Sequence, residues 1–258
     1  MDQSNLFIGH MLGDGSIGYR DNHKNRFSFG QKINAKNWVE FSYQVMRPFT
    51  NNKKLSVGYY KKTGKSFKKQ KYGFARYRTC LHEFFTFERQ RWYKAQKPHA
   101  NKIIPKDIKL NWEIAAAWFA DDGCNSQSNK CIYLHTQSFS KRDNLRLIAL
   151  LKSDLSVTKV ELNKRPNHKW CLRIGSESYY YFLDSVRSSL APVHCLDYKV
   201  DTSIADKILD RTDYLDSVRY GAELEAKARA MRASDATYNE ISAKLGIGSW
   251  KLGQWFHK

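Results

Sequence analysis

Two short segments of the chain share one pattern, in which a small apolar helix is followed by an acidic residue and a glycine. The first segment, Phe7–Gly15, ends in Gly-Asp-Gly, and the second, Ala115–Gly123, ends in Asp-Asp-Gly. Glycine inside a helix costs about 1 kcal/mol relative to alanine. Gly9 and Gly13, four residues apart on one helical face, therefore indicate a close approach to another backbone. We expect the two helices to pack tightly side by side.

Such packing brings together the final carboxylates of the two segments, those of Asp14 and Asp122. A carboxylate at the C-terminal end of a helix faces the negative pole of the helix dipole, which is unfavourable unless a cation offsets it. Magnesium suits this pair, because it takes one or two carboxylates together with waters and substrate phosphate oxygens. The sequence therefore predicts a shared divalent metal site. The alternative is two ordinary helix ends with glycine caps at Gly15 and Gly123.

The rest of the chain repeats itself over residues 5–200. In each half, an alternating strand with a glutamine near its end leads to an amphipathic helix, and a second strand leads to a second helix. The corresponding polar residues lie at nearly constant offsets, which are 108 between Asp14 and Asp122, 106 between Gln31 and Gln137, and 97 between Lys102 and Lys199. A near-constant offset over most of the chain favours an internal duplication over chance matches.

With this duplication, the chain resembles the LAGLIDADG homing endonucleases, in the single-chain form with two motif copies. The resemblance rests on Gly13–Gly15 and Trp118–Gly123, and the first copy departs from the family pattern at His10 and Leu12. It implies an α+β fold of two αββαββα repeats related by a pseudo-twofold axis, whose sheets form a saddle that binds DNA. The expected domains are a first repeat at 1–105, a second repeat at 106–205, and a helical connector with a DNA-binding module at 206–258.

The resemblance also implies an activity, which is site-specific hydrolysis of both strands of a long asymmetric DNA target, leaving 3′ overhangs. Two or three Mg²⁺ ions shared by Asp14 and Asp122 are the implied cofactor, and paired metal ions can clamp the attacking and departing oxygens. Asp121, next to Asp122, is expected to offer its backbone or a supporting contact rather than a metal ligand. His10 is expected to be a packing residue.

The same resemblance gives roles to the repeated glutamines and lysines. Gln31 and Gln137 are implied to occupy strand ends and to order water around the metals. Lys102 and Lys199 are implied to steer water or to stabilise charge in the transition state. The alternatives are an ordinary polar strand end for each glutamine and a surface cation for each lysine.

The basic charge of the chain is concentrated in the first half of the duplication. Of a net charge of +19, residues 1–100 carry 20 Lys and Arg against 6 Asp and Glu, residues 101–200 carry 15 against 10, and residues 201–258 carry 9 against 9. RNA and anionic lipid also attract a basic surface, but a β-ribbon fits the DNA major groove, where each base pair shows a distinct pattern. Double-stranded DNA is therefore the expected partner, contacted unequally by the two halves through Arg26, Lys32, Lys61, Arg76, Arg78 and Arg173. A solvated lysine-rich loop is the alternative for the stretch around Lys61.

The tail beyond the duplication resembles a helix-turn-helix module. Thr237 and Glu240 form a capping box, and Gly246 is suited to end a helix. Ser249 and Lys251 are expected to contact DNA from a recognition helix, Ser249–Phe256. The shared apolar seam is formed by Ile241, Leu245, Ile247 and Leu252. The alternative is a small helical hairpin that only packs on the main body.

Composition excludes several other classes of protein. No apolar run approaches the roughly 20 residues of a membrane span, and the N-terminus has no signal-peptide pattern. The five cysteines include no Cys-x-x-Cys pair, which favours reduced thiols in an intracellular protein over a zinc site. We expect a monomer in a bacterial or phage cytoplasm, with an organelle as the other compartment.

Two further functions remain open at this point. An RNA-binding intron maturase on the same scaffold would bind host intron RNA and would not require the acids. A catalytically inactive DNA-binding regulator would rely on the helix-turn-helix module. The presence of both Asp14 and Asp122 argues against each of these.

Overall fold

The computed structural model describes residues 1–19, 24–51, 54–61, 71–165, 169–207, 222–247 and 249–256. The chain divides into two compact units, Met1–Asp201 and Thr202–Lys258. Residues 62–70 of the lysine-rich loop lie outside the described residues, as do the side chains of Lys61 and Ser249, two predicted DNA contacts. In the part of the chain that is described, no helix is both long enough and apolar enough to cross a membrane.

The first unit contains two repeats with the same order of elements. The first repeat consists of α1 (Gln3–Leu12), β1 (Ser16–Gly18), β2 (Arg26–Lys32), α2 (Lys36–Val45), β3 (Ser56–Lys61), β4 (Lys71–Arg78) and α3 (Glu83–Trp92). The second consists of α4 (Trp112–Asp122), β5 (Gly123–Ser126), β6 (Cys131–Leu134), α5 (Lys141–Leu155), β7 (Val160–Lys164), β8 (Trp170–Ile174) and α6 (Ser176–Leu190). Both sheets are antiparallel, with strand orders β1-β2-β4-β3 and β5-β6-β8-β7. The predicted αββαββα repeats are confirmed.

Each sheet has one buried face and one accessible face, because side chains alternate along a strand. In β2, Phe27 and Phe29 are buried, whereas Arg26 and Lys32 are partly or fully exposed. In β6, Ile132 is likewise part of the core. Arg26 and Lys32 are therefore left on the accessible face.

Helices α1 and α4 pack against each other through residues at equivalent positions of the two repeats. The side chain of Asn5 donates to Glu113 near the start of both helices. A β-carbon added to Gly9 would lie 2.4 Å from Cβ of Ala117, and one added to Gly13 would lie 2.5 Å from Cβ of Asp121. All three contacts join residues 108 positions apart, so the helices run in parallel. The close approach predicted from the glycines is confirmed.

The described part of the second unit includes a helical stretch at residues 203–207 and the helices Ala222–Ala233, Tyr238–Leu245 and Ser249–Phe256. The capping box between Thr237 and Glu240 is present, and Gly246 has φ of +66° at the end of the helix Tyr238–Leu245. Both features agree with the sequence analysis. The buried core of the unit consists of Ala228, Ile241, Ile247, Leu252 and Trp255, with Leu245 packed against it.

Candidate active site

The two predicted metal carboxylates lie at the same end of the parallel helix pair. Asp122 is the last residue of α4, and Asp14 follows the C-cap residue of α1. Burial, followed by the charges of Asp14 and Asp121, raises the pKa of Asp122 to about 7. Burial and the charge of Asp121 also raise the pKa of Asp14. The fold therefore holds these acids within electrostatic reach of one another.

Gln31 lies at the end of β2 and contacts the first of these acids. Its side chain faces the same way as Phe27 and Phe29, because all three alternate along one strand. The Nε2 group donates a hydrogen bond to Oδ2 of Asp14, which lowers the pKa of that carboxyl against the effect of burial. In this structure, Gln31 fixes the orientation of the Asp14 carboxylate.

The counterpart of Gln31 in the second repeat differs from the sequence interpretation. Strand β6 ends at Leu134, and Gln137 lies in the turn beyond it, where its side chain contacts Nδ1 of His135 at 3.2 Å. By alternation, the residue that continues the buried row of β6 after Leu134 is Thr136. Thr136 is fully buried and donates to Oδ1 of Asn144. Leu134 lies opposite Gly123 as the register of β1 and β2 places Phe29 opposite Gly15, so the offset along this strand is 105 and Gln31 corresponds to Thr136. The sequence offset of 106 is therefore one residue out of register, because the sequence alone does not show how the strands pair.

Lys102 and Lys199 occupy equivalent places in the two repeats. The Nζ atom of each lysine donates to three carbonyl oxygens at the end of its motif helix, namely Met11, Gly13 and Gly15 for Lys102 and Phe119, Ala120 and Gly123 for Lys199. Burial lowers the pKa of Lys102 to about 8 and also lowers the pKa of Lys199, against the opposing effect of the neighbouring aspartates. An ammonium group has three donors, so backbone carbonyls use all of them. Neither residue is a surface cation.

A buried polar network that the sequence did not reveal links the two repeats behind the site. Nδ1 of His10 contacts Oδ2 of Asp121 at 2.8 Å, and Nε2 of His10 contacts Oγ of Ser42 at 2.7 Å. Trp38 donates to the other oxygen of Asp121 at 2.8 Å, and Ser42 contacts the hydroxyl of Tyr77 at 2.7 Å. The side chains of His10 and Asp121 are both 0% exposed. These partners are 32 to 111 residues apart in the chain, so no local pattern could have paired them.

Asp121 connects this network to the site itself. The backbone N–H of Asp14 donates to Oδ2 of Asp121 at 3.3 Å. His10 is a packing residue, as expected, since its ring stacks on that of Phe29 with the centroids 3.7 Å apart. The network ties the polypeptide at Asp14 to helix α4, which carries the second acid.

The donor set fits a magnesium site of low protein coordination. Among the described residues, no group of three or more His, Cys, Asp or Glu side chains is gathered so as to hold a metal ion alone. Magnesium needs only one or two carboxylates when waters and phosphate oxygens complete its shell. Asp14 and Asp122 supply two such carboxylates at one end of the helix pair, where burial and then the charges of neighbouring aspartates raise their pKa values.

Cationic side chains surround the entrance to the site on the first sheet. A cleft of about 530 Å³ is lined by Asp14 and Gln31 at one end and by Lys32, Arg76 and Arg78 along the strands. Lys32, Arg76 and Arg78 are exposed, and Arg26 is partly exposed on the same face. In the second repeat, Arg173 is partly exposed on β8. In the second unit, Lys251 is partly exposed on the last described helix.

A duplicated αββαββα unit whose two motif helices pack in parallel, with an acid at the end of each, defines the LAGLIDADG class of nucleases. The sequence at residues 5–182 matches the LAGLIDADG DNA endonuclease family, and the chain belongs to that family. Among solved structures, the chain is similar to one described as the homing endonuclease I-WcaI bound to its DNA recognition sequence. That similarity has a TM-score of 0.63 and 22% identity, and covers 77% of this chain and 85% of the other. It confirms the fold. No curated protein matches the chain closely.

Proposed function

We propose that the chain is a site-specific homing endonuclease that hydrolyses both strands of a long asymmetric DNA target with Mg²⁺ and leaves 3′ overhangs. The observation that carries the proposal is the meeting of Asp14 and Asp122 at one end of the α1–α4 pair. Both carboxyls have raised pKa values, and a cleft lined by cations opens beside Asp14. The two motif copies complete the site within one chain, which supports a monomer as the active form.

Asp14 and Asp122 would hold the metal, which when bound activates water and offsets the charge on the phosphate. Gln31 keeps the Asp14 carboxylate in a fixed orientation through its side-chain hydrogen bond. Lys102 and Lys199 bind the ends of the motif helices and hold positive charge close to the acids. The exposed cations of the first sheet bind DNA phosphates, which position the duplex without reading its sequence.

The proposal is tested by selecting duplexes from a randomised DNA library that bind the full chain in EDTA, and then incubating the selected DNA with Mg²⁺. The wild-type chain is expected to cut both strands. Asp14→Asn and Asp122→Asn are expected to bind the same DNA and to lose double-strand cutting, because each removes half of the metal site. A matched control is Asp107→Asn, which removes an exposed carboxylate that pairs with Arg91.

The outcomes separate the proposed function from its alternatives. Binding with no cutting by the wild-type chain would favour a DNA-binding regulator. Selective retention of structured RNA over duplex DNA would favour a maturase, with host intron RNA as the partner. If Asp14→Asn or Asp122→Asn cut both strands at the wild-type rate, the assignment of these residues to the metal site would be wrong.

A further inference from the structure

The accessible faces of the two sheets differ in charge at equivalent positions. Tyr77 pairs with Phe29 in the first sheet, and Leu172 pairs with Leu134 in the second. The next residues along β4 and β8 are Arg78 and Arg173, and both point to the accessible face. The two arginines therefore occupy the same place in the two repeats, one on each half of the surface proposed to bind DNA.

The surroundings of Arg78 are cationic. Arg78 borders a shallow depression of about 240 Å³ together with Arg26, Lys54 and Arg76. The sequences of the four strands β1–β4 contain no acidic residue. Such a cluster of like charges is suited to phosphates, because each neutralised phosphate releases counterions whatever the base sequence.

Arg173 is instead held by a carboxylate. It lies in a cross-strand row with Tyr133 on β6 and Glu161 on β7. Nη1 of Arg173 donates to Oε1 of Glu161 at 2.7 Å, and the side chains are 29% and 52% exposed. Glu161 is the single acidic residue in the sequences of strands β5–β8.

Neither stability nor bulk affinity accounts for this pair. An ion pair at this exposure contributes little to stability because solvent screens it and side-chain entropy opposes it. A carboxylate on a surface that binds DNA also repels phosphates. The pair restrains the guanidinium, and hydrogen bonds with Tyr133 and Cys131 restrain it further. A guanidinium has five donors, so two are left after these three contacts. A restrained arginine loses less conformational entropy on binding, and its fork matches O6 and N7 of guanine.

We infer that Arg173, oriented by Glu161, is a specificity-determining residue that reads a guanine in the half-site under the second sheet. Arg78, at the equivalent place, binds phosphate and carries no base preference. The inference rests on the proposed function, because it takes double-stranded DNA as the ligand. It assigns affinity mainly to the first repeat and base discrimination at this position to the second.

The test repeats the binding selection from randomised duplex DNA in EDTA with four chains: wild type, Arg173→Lys, Glu161→Gln and Arg78→Lys. Arg173→Lys keeps the charge and removes the fork, so we expect about a tenfold or greater loss of guanine preference at one position. Glu161→Gln is expected to relax the preference at that same position while tightening binding to unselected DNA. Arg78→Lys, the matched control, is expected to leave every base preference within about twofold.

Three results would overturn the inference. The first is that Arg173→Lys leaves all preferences unchanged while the wild type still selects a defined site, in which case the proposed function stands. The second is that Arg78→Lys shifts the same position equally. The third is that the wild-type chain enriches no sequence, in which case the proposed function fails as well. Thermal unfolding of each variant checks the fold, and midpoints close to wild type are expected because both arginines are at the surface.

Discussion

At the scale of single residues, the site gathers several carboxyl groups in a partly buried place. Three aspartates, Asp14, Asp121 and Asp122, lie near one another, and burial, followed by their mutual repulsion, raises the pKa values of Asp14 and Asp122. Asp121 is instead satisfied by His10 and Trp38. Only Asp14 and Asp122 are therefore left available to a cation, and hydrogen bonds within the protein, such as that from Gln31, hold the site in place.

A first prediction compares the two glutamines. Gln31→Ala is expected to slow cleavage by about fivefold to tenfold, because one side-chain hydrogen bond worth roughly 1 kcal/mol no longer orients Asp14. Gln137→Ala, the matched control, is expected to stay within about twofold, since Gln137 contacts His135 in the turn beyond β6. Single-turnover cleavage of the selected DNA with Mg²⁺ measures both. If both variants lost cleavage rate equally, Gln137 would have to act in the site as Gln31 does.

A second prediction concerns pH. The pKa of Asp122 is about 7 in the folded chain against 3.8 ordinarily, so the folded state binds more protons than the unfolded state between these values. Without metal, stability should fall as pH rises from about 4 to 7. Thermal midpoints in EDTA are expected to decrease over pH 5–7, and less steeply for Asp122→Asn. The pKa of Lys102 is about 8 in the folded chain against 10.5 ordinarily. Lys102 therefore makes stability rise with pH between about 8 and 10.5, above the range of this test. If the thermal midpoint of Asp122→Asn fell with pH as steeply as that of the wild type, the raised pKa of Asp122 would be contradicted.

At the scale of elements, the contact between α1 and α4 determines where the acids meet. Gly9 has no side chain because Cβ of Ala117 and the carbonyl of Ile114 occupy the space. The sequence predicts this contact well, because two glycines on one face weaken a helix and are tolerated chiefly where a second backbone lies close. It did not show where β6 ends, because no glycine or proline interrupts Cys131–Ser138, although the strand ends at Leu134.

A third prediction uses this contact. Gly9→Ala would favour the helix by about 1 kcal/mol from intrinsic propensity alone. Because the new β-carbon would lie 2.4 Å from that of Ala117, we expect a net destabilisation of about 1–3 kcal/mol. Gly253→Ala is the control, since nothing lies within 4 Å of its β-carbon position in a helix, and it is expected to stabilise its own unit. Denaturant unfolding measures both changes. An increase in stability for Gly9→Ala would show that the helices can separate at little cost.

At the scale of the whole molecule, the duplicated unit holds the proposed chemistry and the second unit holds a compact set of helices. The sequence predicts both, because the repeat and the capping box are local or periodic signals. The network of His10, Asp121, Trp38 and Ser42 was not predictable, because it depends on side chains that only the assembled repeats bring together. A further DNA contact by the second unit stays a prediction, based on the resemblance of its sequence to a helix-turn-helix module.

A fourth prediction tests that contact. Deleting residues 221–258 is expected to weaken binding to the selected DNA several-fold and to leave Mg²⁺-dependent nicking in place, because Asp14 and Asp122 belong to the other compact unit. Affinities are measured over a range of salt concentrations, where log K falls by about 0.9 per phosphate contact for each unit of log salt. The truncated chain should show a shallower slope. If the deletion changed neither the affinity for DNA nor its salt dependence, the second unit would make no DNA contact.

The contacts between equivalent positions of α1 and α4 also determine whether one repeat could replace the other. If two copies of the second repeat were joined, two Asp121 side chains would face each other, with neither the space that Gly13 leaves nor the partner that His10 provides. If two copies of the first repeat were joined, both copies of His10 would lack a carboxylate partner, because Gly13 stands where the second repeat has Asp121. The two halves are therefore not interchangeable at this contact, and a symmetric dimer of either repeat would lose it.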